Sequence, residues 1–253
     1  MDRDEQGPIA KCVTWMVRIY LIAEKDARIY FFKGPNLTFG LFLPLVIYWA
    51  FAIDRPIDTQ IVIPGLVALA IFFGAGAIQA VSLPLERRTG TIYTLLAAPV
   101  TPSMLVLGKA LAGVMFGLFL ALIYGLVALF YQGTSPDLVV YGLAALFASF
   151  CFSAFGLCMA APFRDVPQAM PPATVVRILL VFAAGTFREI GASWASWPWV
   201  SRLVPLTYGV SAMRQALTSS VRWERFMGDL GALFLFGLAF LGLTVWLLES
   251  REL

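Results

Sequence analysis

LERRTGTIYTLLAAPVTP, residues 85–102, sets Glu86, Arg87 and Arg88 side by side between two long apolar segments, 61–83 and 104–131. On insertion scales a central arginine or lysine costs about 2.5–3.5 kcal/mol in hydrocarbon, so three adjacent charges mark a turn outside the apolar layer. The flanks then read as helices crossing that layer. The whole chain agrees: 253 residues are 60% hydrophobic and only 13% charged, where a soluble domain carries about a quarter charged. Its apolar residues fall in blocks near the ~20 residues that cross a hydrocarbon core of about 30 Å as a helix. The class is an all-α integral membrane protein.

Working outward, six spanning helices are expected at 37–53, 61–83, 104–131, 138–161, 174–187 and 230–248, in a single domain over 1–253. Fourteen residues rise only about 21 Å as a helix, so the fifth must extend back past Pro171 or be joined by a re-entrant piece. Ahead of the spans, residues 10–34 are too charged to cross. As a helix they turn Cys12, Trp15, Met16, Ile19, Ile22 and Ala23 one way and Arg18, Lys25 and Arg28 the other. That is the pattern of an amphipathic helix lying in the membrane surface, with cations near phosphates; a helix under a soluble partner has the same pattern. The opening MDRDEQGPIA leads to no short apolar core with a cleavage site, so no cleavable signal is expected. With both termini cytoplasmic, twelve of the eighteen Lys and Arg lie on the inner side, Lys109 and Arg177 among them, as the positive-inside rule prefers.

This orientation puts the 84–102 turn in the cytosol. Ile92, Tyr93, Leu95 and Leu96 give it an apolar side, which suits either docking to a soluble partner or lying back on the lipid. Residues 187–229 are too broken for a span and too apolar for a free loop. Trp194, Trp197 and Trp199 cluster there, and Pro205 introduces a helix carrying Tyr208, Met213 and Leu217. Short re-entrant helices fit this region, either narrowing the outer end of a route or bracing an assembly. Gly113 and Gly117 form a G-x-x-x-G that allows close helix packing, and Gln79 is expected to bond across to a neighbouring helix.

Catalytic chemistry is missing. Histidine is absent, which removes the usual neutral-pH base and the Ser-His-Asp arrangement. LVLGKA around Lys109 has Ser103 where a phosphate loop needs glycine and Ala110 where it needs Ser or Thr. Cys12, Cys151 and Cys158 lack partners for a metal site, and a net charge of +3 is too small and dispersed for nucleic acid. No metal, no bound cofactor and no enzymatic activity are expected of this chain. No Asp or Glu lies midway along a span, so a self-powered carrier lacks the group that would hold its coupling ion.

Two ordered stretches, LPLERRTGTIYTLLAAPVTPSMLVLGKALAG (83–113) and VPLTYGVSAMRQAL (204–217), resemble the signatures of the membrane subunits of ABC-2 type transporters. The resemblance implies a dimer of six-helix permeases, the second subunit identical or a paralogue, above two cytosolic ATPase subunits that bind Mg-ATP. It makes 84–102 the coupling helix, with Glu86, Arg87, Arg88 and Tyr93 at the ATPase contact and Gly90 and Thr91 shaping the turn. The surface helix with Trp15, Arg18, Lys25 and Arg28 would touch the ATPase as well. Phe187, Glu189, Pro205 and Tyr208 become outer re-entrant or gate candidates, although Phe187-Arg188-Glu189-Ile190 lacks the proline of the family's Phe-x-Pro-x-Glu segment. The function implied is export of an amphiphilic drug, lipid or glycoconjugate across the cell membrane. A secondary carrier or channel and a non-transporting scaffold are the alternatives.

Overall fold

A segment that is apolar on every side has no solvent face and belongs inside a bundle, whereas one with an apolar stripe belongs at its edge. The computed structural model describes residues 8–32, 34–52, 59–92, 100–132, 137–184, 201–218 and 221–252. Every regular element among them is helical: α1 (Pro8–Tyr30), α2 (Gly34–Leu37), a π turn (Thr38–Phe42), α3 (Leu43–Ala52), α4 (Thr59–Arg88), α5 (Pro102–Gln132), α6 (Leu138–Ala160), α7 (Val166–Ala183), α8 (Pro205–Leu217) and α9 (Trp223–Glu252). Among the described residues, α4, α5, α6, α7 and α9 are long and apolar enough to cross a membrane, five in all.

α4 is the axis. Of its most apolar stretch 94% is buried, against 22% for α7 and 28% for α9, and it packs on α5, α6, α7, α8 and α3. Small residues let its neighbours close in. Gly113 and Gly117 of α5 face Ser153 and Ser149 of α6, and a Cβ on Gly156 of α6 would lie 2.7 Å from both Cα and O of Gly76 in α4. Gln79 does bond across, donating to the Lys109 carbonyl of α5 and, at 3.4 Å, to Ser153 Oγ. Ser153 in turn donates to the Ala110 carbonyl at 2.9 Å.

Several expected boundaries move. The first expected span, 37–53, is not among those five: the helical stretch there begins at Gly34 and is broken by the π turn, where the Leu43 N–H bonds to the Thr38 carbonyl. Pro44 follows at once and has no N–H to offer the Gly40 carbonyl, which favours a wider turn there. Tyr124 of α5 donates to the Leu41 carbonyl at 2.6 Å and ties the distorted segment to the bundle. The fifth span starts at Val166 rather than 174, so it runs back through Pro171 and Pro172. Asp165 caps it by accepting from the Val166 N–H at 2.7 Å. Pro171 and Pro172 withhold the N–H groups that would bond to the Pro167 and Gln168 carbonyls in the second turn.

The last helix starts at Trp223, not 230, because Phe226, Asp229, Leu230 and Leu233 are buried along one face. Gln215 of α8 donates to Asp229 at 3.0 Å across that seam. The expected re-entrant region therefore shrinks from its far end. α8 stands as a short helix, opened by Pro205 at its first position. Residues 187–200, with Phe187, Glu189 and the three tryptophans, lie outside the described residues.

Candidate functional site

At one end of the bundle the C-termini of α4, α6 and α9 meet the N-termini of α5 and α7 and the length of α1. α4 ends where Gly90 takes φ +75, a left-handed conformation that a side chain would strain. The Gly90 N–H reaches back to the Arg87 carbonyl at 3.2 Å. Pro84, one turn earlier, withholds an N–H from the helix just before the charges. Beyond the turn Ile92 plunges into the chain's own core beside Leu83, Leu105 and Val106. That residue, expected on the outward apolar side, packs inward; Tyr93, Leu95 and Leu96 lie outside the described residues. Thr101 caps α5, accepting from the Met104 N–H at 3.3 Å.

The three elbow charges go three ways. Glu86 turns in, its side chain 5% exposed, accepts from Lys25 and forms an ion pair with Lys109 at 2.7 Å. Arg87 donates to the carbonyls of Ala161 and, at 2.8 Å, Phe163, closing the turn between α6 and α7. Arg88 stays outside at 62% exposed, with Asp165 3.4 Å away. Of the predicted contact residues the described surface thus presents Arg88 and Thr91, while Glu86 works from within.

Around Glu86 the structure assembles a four-charge cluster. Asp26 of α1 pairs with Lys109 at 3.0 Å and with its neighbour Lys25 at 3.0 Å. Two cations face two anions, and Asp26 and Lys109 are fully shielded. Such a group is tolerable in a low-dielectric place only because each charge has an opposite partner. Burial works against the Lys25 charge, but Asp26 first and then Glu86 outweigh it and hold the ammonium above its ordinary range. Tyr30, shielded beside the same carboxylates, keeps its phenol proton to higher pH than usual, first through burial and then through Glu86 and Asp26.

This geometry corrects the reading of α1. Ile22 and Ala23, expected in lipid, pack on α5, where a Cβ on Gly108 would lie 2.7 Å from the Ile22 side chain. Lys25, expected among phosphates, is bonded inward. Trp15 and Met16 do remain exposed, and Arg28 is exposed and paired with Glu24 one turn away. The Gly-Lys step of LVLGKA has a packing reason: Gly108 admits α1 and Lys109 locks it.

Sequence reasoning missed Asp26 and misplaced Lys109. Asp26 had a signal, since Ile22, Asp26 and Tyr30 are spaced by four and share one otherwise apolar face. For Lys109 nothing local tells a buried cation from one at a helix mouth. The outer candidates are less gathered. Pro205 is buried as the first residue of α8, and the Tyr208 hydroxyl donates to the Arg202 carbonyl at 2.8 Å.

Residues 26–218 match the ABC-2 type transporter family. The chain is 27% identical over 196 residues to the inner membrane transport permease YadH of Escherichia coli K12, covering 76% of this chain and 75% of that protein. The YadH proteins of Escherichia coli O157:H7 and Shigella flexneri match to the same extent. The matched residues run from Asp26 of the buried cluster, through the elbow, to the end of α8, on a bundle of several membrane-crossing helices. The chain belongs to the ABC-2 type transporter family and is a multi-pass membrane permease.

Proposed function

We propose that the chain is the permease of an exporter for an amphiphilic drug, lipid or glycoconjugate, driven by Mg-ATP hydrolysis in a separate cytosolic ATPase that docks at the elbow. The observation that carries this reading is the buried Lys25–Asp26–Glu86–Lys109 cluster. It ties the last turn of α4 and the first turns of α5 to α1, so a push on the elbow moves three helices as one body. Rigid elements with fixed pairings are what transmit a displacement through a bundle.

In this arrangement the helical stretch 34–52 completes six spans, both termini are cytoplasmic, and α1 lies in the inner membrane surface. Arg88, Thr91 and the 93–99 segment meet the ATPase, while Glu86 and Arg87 hold the elbow's shape from inside. A second permease subunit, identical or a paralogue, forms the other wall of the route, and no cofactor is bound by this chain.

The test is recovery of Mg-dependent ATP hydrolysis with the tagged permease extracted from its native membrane. Arg88→Glu with Thr91→Glu is expected to leave insertion intact and lower the recovered ATPase at least tenfold. Undiminished recovery would remove the elbow as the docking surface.

A further inference from the structure

Arg177 has no place in the elbow. It sits eleven residues into α7, about 17 Å along the helix, and opposes Gly76, twelve residues and about 18 Å from the end of α4. Both positions lie near the middle of a hydrocarbon layer about 30 Å thick. At that depth an ionisable side chain is costly, and it marks a functional site when it has no structural counter-charge. Arg177 is 3% exposed, and its sole hydrogen bond among the described residues runs from Nη2 to the Gly76 carbonyl at 2.8 Å. Its Nε is buried without a partner. A guanidinium has five donors and no way to shed its charge cheaply.

Among the described residues no counter-ion stands at this level. α5, α6, α7 and α8 carry no Asp or Glu, in α4 the only one is Glu86 at the elbow, and those of α9 stand toward its two ends, at 224, 229, 249 and 252. The seat itself is firm. The Gly76 carbonyl is held by the backbone contact between Gly76 and Gly156, and a Cβ on Gly76 would meet Nη2 at 2.9 Å. The cover is not firm. α7 is the least buried spanning helix, and it leans on α4 and α6 by one stripe of Ala169, Ala173, Arg177 and Val181. A small retreat of α7 uncovers the guanidinium between apolar walls.

We propose that Arg177 is the anion-recognition residue of the translocation route, pairing with the oxyanion head of an amphiphile, a phosphate or carboxylate, when α7 parts from α4. This rests on the permease reading and narrows its cargo to anionic amphiphiles. A planar fork of N–H donors matches such oxyanions in bidentate fashion. An aliphatic tail is what carries an anion to this depth, so a free inorganic anion is not the ligand.

The purified full-length chain in lipid nanodiscs is titrated with dodecyl phosphate, laurate and uncharged dodecyl maltoside, with tryptophan fluorescence and thermal midpoint as readouts. The wild type is expected to bind the two anions at least tenfold tighter than the uncharged chain. Arg177→Leu is expected to lose that preference while its unliganded midpoint holds or rises, since an under-bonded buried charge has been removed. Arg177→Lys keeps the charge but not the fork, and is expected to weaken dodecyl phosphate three- to tenfold.

A wild type without anion preference, a preference that survives Arg177→Leu, or an Arg177→Lys chain binding dodecyl phosphate as tightly as the wild type would each overturn the site. So would competition by millimolar inorganic phosphate, which would make it a site for free anions. A fall in the unliganded midpoint of Arg177→Leu with anion preference retained would make Arg177 a packing residue. Binding needs no ATPase, so undiminished ATPase recovery in the elbow variant sinks the docking reading and leaves this result standing.

Discussion

Lys109, with 1% of its side chain exposed, donates to Asp26 and pairs ionically with Glu86, and among the described residues Lys25 is the other cation that neutralises these carboxylates. Removing one member strands a buried charge, which costs about 3–5 kcal/mol, whereas removing an opposed pair costs far less. Lys109→Met is therefore expected to lower the thermal midpoint in detergent sharply. Adding Glu86→Gln in the same chain should restore part of the loss, the non-additivity expected of residues in contact. Lys25 sets the pH response. Its folded value is raised above the ordinary 10.5, so its stabilising share is complete at neutral pH and is lost only as pH climbs through that raised value. Wild-type stability should hold across neutral pH and fall in strong alkali, and Lys25→Met should flatten that alkaline fall. An unchanged alkaline limb in Lys25→Met would detach the residue from the cluster.

Among elements the decisive crossing is α4 against α6. At Gly156 an added Cβ meets backbone atoms of Gly76, which cannot rotate away, so Gly156→Ala must push two helices apart at a cost of about 1–3 kcal/mol. Gly142 lies in the same α6 with open space around its would-be Cβ. Gly142→Ala should be neutral or stabilising by about 0.5–1 kcal/mol, because alanine is the better helix former. Thermal midpoints of the two variants side by side separate a packing contact from a mere propensity effect. Equal midpoints would mean the helices are not held at that distance. The π turn before α3 and the prolines early in α7 fit the same rule, since each interruption falls where the helix has another tie or is near its end.

For the whole molecule the arrangement predicts sidedness. Thr91 lies at the elbow, and Arg222 stands just before α9 at the opposite end. In a chain with its three cysteines replaced by alanine, an impermeant maleimide outside intact cells should label Arg222→Cys and spare Thr91→Cys. Permeabilised cells should label both. Labelling of Thr91→Cys from outside would turn the bundle over and remove the elbow from any cytosolic motor. The buried axis also orders the expected mechanics. α4 is enclosed by its neighbours, so displacement at its end is carried into the bundle, while lightly packed α7 has the most freedom to shift.

The sequence by itself determined the class, most of the helices and the charged elbow. These follow from local quantities: runs of apolar residues and adjacent charges that hydrocarbon rejects. Only the tertiary structure decided which charges are partners and which are surface. Lys109 and Arg177 both read as inner cations. One proves to be locked to Asp26, 83 residues away along the chain, and the other to rest alone on the Gly76 carbonyl, 101 residues away. Hydropathy and periodicity report what lies on one helix face. They carry no term for what a distant helix brings against it, and in a low-dielectric interior that opposing group decides whether a charge is a clamp or a waiting site.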